Sequence, residues 1–101
     1  MPELFCATLV VRDAVTKLDA LAIVALATDA VVADARTVRP RVVLPNGAWV
    51  EVEIPKFGEP PPLALDVYSE LGDDHAKIAA LALLARLEEQ TAWTVKPDFV
   101  L

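Results

Sequence analysis

Residues 38–54 read VRPRVVLPNGAWVEVEI, two β-branched runs separated by Pro45-Asn46-Gly47, and the register of this hairpin decides the fold. Loop length sets which residues face each other, and a slip of one residue turns every side chain to the opposite face. A two-residue loop, Asn46-Gly47, sets Val42 opposite Glu51 and Arg41 opposite Val52, mixing apolar and charged residues on both faces. A three-residue loop, Pro45-Asn46-Gly47, instead sets Leu44 opposite Ala48, Val42 opposite Val50, Pro40 opposite Val52 and Val38 opposite Ile54 on one face. The other face then carries Val43 opposite Trp49, Arg41 opposite Glu51 and Arg39 opposite Glu53. The second register separates an apolar face from a charged one, and each opposite-charge pair across the strands adds about 0.2–1 kcal/mol. Turn chemistry agrees, because proline presets φ at the first corner of a type I turn and glycine suits the left-handed bulge position. The three-residue loop is therefore expected, with Val38, Val42, Leu44, Val50, Val52 and Ile54 buried.

Upstream, Leu4–Val11 (LFCATLVV) is apolar and β-branched and reads as a buried strand, with a helix the alternative that periodicity alone leaves open. Asp13 suits the N-cap of a helix over Ala14–Val32, with Val15, Leu18, Ala22, Ala25 and Leu26 on one face. Downstream, PKFGEPPPL contains Pro55, Gly58 and the run Pro60-Pro61-Pro62, which cannot enter a sheet ladder and reads as a stiff connecting loop. Leu63–Ser69 alternates apolar and polar residues, the pattern of a half-buried strand. Gly72-Asp73-Asp74 opens a second helix reaching about Thr91, its early acids placed at the positive end of the helix dipole. Ala76, Ala80, Leu83, Leu84 and Leu87 form its apolar face, and Ile78, Leu81 and Ala85 form a second stripe nearly opposite. Trp93–Val100 reads as a last strand, which Pro97 confines to a sheet edge.

The order β-α-β-β-β-α-β predicts one α+β domain over residues 1–101. Its expected form is a two-layer sandwich, a mostly antiparallel sheet with two helices on one face, a ferredoxin-like variant with an extra strand.

Composition narrows the function. The chain of 101 residues is 55% hydrophobic and carries a net charge of −6, so its apolar content exceeds what one core of this size needs. An acidic surface repels phosphate, and no nucleic-acid partner is expected. The longest apolar runs, Ala20–Ala27 and Ile78–Ala85, fall well short of the ~20 residues of a membrane span. Cys6 is the single cysteine and no basic stretch precedes the first apolar run, so a soluble, cytoplasmic protein is expected.

Few residues suggest chemistry. Asp73-Asp74-His75 point in different directions from a helix start and lack the two-histidine helical spacing of zinc sites, so they read as an N-cap, a dipole-favoured acid and a solvent-facing histidine. Glu51 and Glu53 are already matched with Arg41 and Arg39 by the register. Cys6 reads as a small buried hydrophobe, and Ser69, the one serine, lies in no hydrolase elbow. No catalytic, cofactor or metal residue is assigned.

The expectation is a small acidic, non-catalytic interaction domain that binds a protein partner or self-associates, as an inhibitor, an immunity-type protein or an assembly subunit. Its interface residues are Ile78, Leu81 and Ala85, a stripe left to the first helix or to a second copy of the chain, and Trp49, an aromatic on the outer face of the hairpin that reads equally as an interface anchor or as covered by the Pro-rich loop. The alternative is a small-ligand-binding regulatory domain of ferredoxin-like or ACT-like type, which rests on fold analogy. An enzyme using Asp73, His75 or Cys6 is the third reading.

Overall fold

In a computed structural model of the chain, the described residues are 4–12, 17–30, 32–33, 40–53 and 63–99. They form β1 (Phe5–Val11), α1 (Lys17–Thr28), β2 (Val32–Ala33), β3 (Arg41–Val43), β4 (Trp49–Glu53), β5 (Leu63–Ser69), α2 (Asp73–Gln90) and β6 (Val95–Pro97). The strands make one sheet in the order β2-β3-β4-β5-β1-β6, every neighbouring pair antiparallel. Helix α1 packs over β2, β3 and β4, α2 packs over β1, β5 and β6, and the two helices touch. Without β2 and β3 the order is β-α-β-β-α-β with strands arranged β4-β5-β1-β6, the ferredoxin-like arrangement. The protein is thus a two-layer α+β sandwich extended at one edge.

The hairpin adopts the three-residue loop. Val42 lies opposite Val50 and Val43 opposite Trp49. The Leu44 N–H donates to the Ala48 carbonyl at 2.8 Å, and the Gly47 N–H closes the turn on the Leu44 carbonyl at 3.1 Å. Gly47 has φ +92°, a conformation in which a Cβ is strained. The Asn46 side chain adds a local bond, its Oδ1 accepting from the Ala48 N–H at 3.1 Å. Val42, Leu44, Val50 and Val52 are buried; Val38, Arg39 and Ile54 lie outside the described residues.

Alternation sorts the whole sheet. Ala7, Leu9 and Val11 of β1, Val50 and Val52 of β4, and Leu65 and Val67 of β5 share one side and are buried beneath the helices. Ala20, Leu21, Val24, Ala25 and Ala27 of α1 and Ala76, Ala79, Ala80, Leu83 and Leu87 of α2 close the core from the other layer. LFCATLVV is therefore a half-buried strand, not a fully buried one. Its even-numbered residues face the side away from α1 and α2.

Helix α1 is shorter than its hydrophobic pattern suggests, and the stretch expected to continue it to Val32 supplies β2 instead. Asp29 takes φ +54°, a left-handed conformation that aspartate tolerates. The Asp29 N–H donates to the Leu26 carbonyl at 3.3 Å and the Ala30 N–H to the Ala25 carbonyl at 2.9 Å, satisfying the last turn. Val32 and Ala33 then pair with Val42 and Arg41. The expected start of this helix, with Asp13 and Val15, lies outside the described residues, as does the loop with Pro60-Pro61-Pro62.

Helix α2 matches its expected span. Gly72, at φ +143°, is the N-cap residue and no side chain caps there, so Asp73 and Asp74 fall within the first turn. Asp73 pairs with Lys77 at 3.0 Å, one turn on. Thr91 closes the other end, its N–H and hydroxyl both donating to the Leu87 carbonyl. Leu84, expected on the buried face, is only half-buried, and Ala79 takes a core position in addition. The last strand is shorter than Trp93–Val100 and forms the sheet edge beside β1, where Pro97 costs no ladder bond.

Candidate functional site

The registers compose the face of the sheet away from α1 and α2 into two ladders. Val43, Trp49, Tyr68 and Cys6 lie side by side across β3, β4, β5 and β1. Two residues along the strands, Glu51, Asp66 and Thr8 form a second row across β4, β5 and β1, and one further step in the β3–β4 register brings Arg41 opposite Glu51. The first row is apolar and aromatic; the second is charged. Both arise from the alternation that buries the intervening residues.

Trp49 is the hub. Its ring stacks on Tyr68 with centroids 6.0 Å apart and planes 23° from parallel. The Arg41 guanidinium lies 5.2 Å from the Trp49 ring centroid, and the indole N–H donates to Glu51 Oε2 at 3.3 Å. Farther across, the Thr8 hydroxyl donates to Asp66 Oδ1 at 2.8 Å. Glu51 and Asp66 stand directly opposite each other, a like-charge cross-strand pair, which is an unfavourable arrangement for a free surface. Val10 and Lys96 continue the same face at the β6 edge.

The first row runs into a cleft of about 360 Å³ lined by Arg41, Val43, Gly47, Trp49, Glu70 and Leu71. Two aliphatic side chains line it in the open, Val43 at 42% exposure and Leu71 at 74%. A second cleft, of about 200 Å³, lies in the helix layer beside the hairpin turn, among Leu44, Asn46, Ala79, Leu83 and Arg86.

Cys6 overturns its expected place in the core. Ala7, Leu9 and Val11 take the buried side of β1, so Cys6 belongs to the open face and is exposed. Partial desolvation of its sulfur pushes the thiol pKa up, and the Asp66 and Glu51 carboxylates add to that rise, while hydrogen bonding with Thr8 and Tyr68 opposes it. A thiol held this way is a poor nucleophile at neutral pH, because the thiolate is the reactive form. Alkylation of Cys6 by iodoacetamide is expected to be slow at neutrality and to rise with a midpoint above the ordinary value of about 8.5. A pH–rate midpoint at or below that value contradicts the assignment.

His75 also departs from its expected solvent-facing position. It is half-buried, and its Nδ1 lies 2.6 Å from the hydroxyl oxygen of Ser69 at the end of β5. The same oxygen accepts from the Leu71 N–H at 3.0 Å. The lone serine and the lone histidine thus meet across the β5–α2 turn. Their contact resembles a nucleophile–base pair, but Ser69 is only 1% exposed, and a substrate carbonyl has no approach to it. The pair instead ties the turn down.

Of the expected interface residues, Ile78 is 64% exposed, Ala85 is exposed and Leu81 is half-buried, all on α2. Trp49 lies on the opposite side of the sandwich, so the four do not form one surface. Among the described residues, no three His, Cys, Asp or Glu side chains gather as a metal ion requires. No described helix is long and apolar enough to cross a membrane. No protein-family profile matches the chain, and a search of curated proteins found no match to it.

Proposed function

We propose that this protein is a non-catalytic interaction domain that docks a partner protein on the open face of its sheet. The carrying observation is the Trp49 hub, an aromatic held rigidly by Tyr68, Arg41 and Glu51 beside a cleft with exposed aliphatic walls. Tryptophan and arginine on a preorganised surface are the residues that dominate binding energy at protein interfaces, because they bury much area at little entropic cost. An aromatic platform on an open sheet also serves to stack bases. Here Glu51, Asp66 and Glu70 occupy the same region and the chain carries −6 overall, which repels a phosphate backbone. A domain of this kind acts by occupying a surface of its partner, as an inhibitor or an assembly subunit does. The stripe of Ile78, Leu81 and Ala85 on the helix layer offers a separate surface for a second copy.

The test compares binding of a partner recovered from the native host and then purified. Trp49→Ala is expected to weaken binding about tenfold or more. Ile78→Glu, on the helix layer, is expected to leave that affinity unchanged. The reverse pattern transfers the interface to α2 and overturns the open-face reading.

A further inference from the structure

We propose that the cleft in the helix layer binds a small monocarboxylate with a compact apolar body, of about the size of benzoate. The cleft, of about 200 Å³, lies where the end of α1, the β3–β4 turn and the middle of α2 meet, on the other side of the sheet from Trp49. It shares no lining residue with the cleft beside Trp49, so it stands independently of the open-face reading.

The shape comes from one face of α2. Ala79, Ala82, Leu83 and Arg86 recur at i, i+3, i+4 and i+7, so all four line the same side of the helix. Two alanines there leave space that longer side chains would fill. Leu44 closes the cleft from the hairpin, and Leu44, Ala79 and Leu83 are buried, so the inner wall is apolar. Thr28 adds no spare donor, because its hydroxyl donates to the Val24 carbonyl at 2.8 Å. A cavity of ~150 Å³ lined by aliphatic side chains takes benzene. A somewhat larger, open cleft has room for a ring or a branched chain of that size with a carboxylate added.

The charge comes from the rim. Arg86 is exposed, and among the described residues no carboxylate pairs with its guanidinium. Asn46 Oδ1 accepts from the Ala48 N–H at 3.1 Å, which leaves the side-chain NH2 to donate. Among the described residues no acidic side chain lines the cleft, although the chain carries −6 overall. An exposed guanidinium alone holds a carboxylate weakly, because water and salt screen the pair. Apolar walls alone do not select an anion. Together they select an acid whose body fills the cleft while its carboxylate meets Arg86 and Asn46; a cation of the same shape is repelled.

The test is an NMR titration of the full chain at constant ionic strength with three probes. Benzoate is the ligand; benzamide keeps its shape without the charge, and acetate keeps the charge without the body. Benzoate is expected to shift the Asn46 side-chain amide and the backbone amides of Ala82 and Arg86 saturably, with a Kd of about 1 mM. Benzamide and acetate are each expected to bind about fivefold more weakly or worse. Arg86→Gln is expected to remove the preference for benzoate over benzamide. Ala82→Phe, which fills the cleft from an exposed helix position, is expected to abolish binding of both. Equal affinity of benzoate and either control, shifts confined to residues outside the cleft, undiminished binding by Ala82→Phe, or no shift at about 20 mM benzoate overturns the inference. None of these results alters the dependence of partner binding on Trp49, which tests the open-face reading separately.

Discussion

Leu65→Ala is expected to lower the unfolding free energy by about 2–5 kcal/mol, read as a fall in the denaturation midpoint. Leu65 is fully buried in the middle of β5, with Leu9 opposite it on one side and Val52 on the other. Truncation removes its transfer free energy and leaves a cavity that the two flanking strands, fixed by their ladders, cannot close. For a domain of this size that loss is a large part of total stability. Leu26→Ala is the matched control, because Leu26 is 77% exposed on α1 and alanine is at least as good a helix former. Its effect is expected to stay within about 0.5 kcal/mol. Comparable losses at the two positions would mean that the helix layer is not where the buried pattern puts it.

That pattern was legible in the sequence wherever alternation and turn chemistry agreed. The hairpin register followed from two requirements, a clean apolar face and a glycine at a left-handed position, and both are met at Val42, Val50 and Gly47. Leu63–Ser69 followed from alternation alone. Two features were not legible, for physical reasons. LFCATLVV is apolar on both faces, so composition could not show that only Ala7, Leu9 and Val11 are buried. The end of α1 carries neither glycine nor proline, and Ala30 to Ala33 suit helix and strand alike. The left-handed turn at Asp29 and the free edge of β3, which Val32 and Ala33 complete, decide that stretch through tertiary pairing.

The site divides the same way. Trp49 stood out because the register placed it on the charged side of the hairpin, but its partners lie on another strand. Tyr68 joins it only once β4 and β5 are paired, a contact across nineteen residues of sequence. The Glu51–Asp66 opposition depends on the same pairing. A hairpin read alone matches Glu51 with Arg41; the whole sheet inserts Glu51 between Arg41 and a second acid. The reading thus moves from an isolated pair within the hairpin to a row that spans three strands.

Ser69→Ala is expected to destabilise the fold by about 1–3 kcal/mol, a large effect for the loss of one oxygen atom. The buried hydroxyl accepts from the Leu71 N–H and, with the imidazole protonated at Nε2, donates to His75 Nδ1. Alanine leaves both partners without that oxygen at the junction where β5 hands over to α2. His75→Ala is expected to cost less, since the hydroxyl keeps its bond to Leu71. In the double variant the losses are expected to be less than additive, because the first substitution already removes the bond between the two side chains. A nucleophile–base pair predicts something different: loss of a hydrolytic activity with stability nearly unchanged, as expected when a reactive group is held in place by its surroundings and not the reverse. Chemical denaturation of the three variants separates the two roles. An unaltered midpoint for Ser69→Ala would remove the structural assignment and return the pair to candidacy as chemistry.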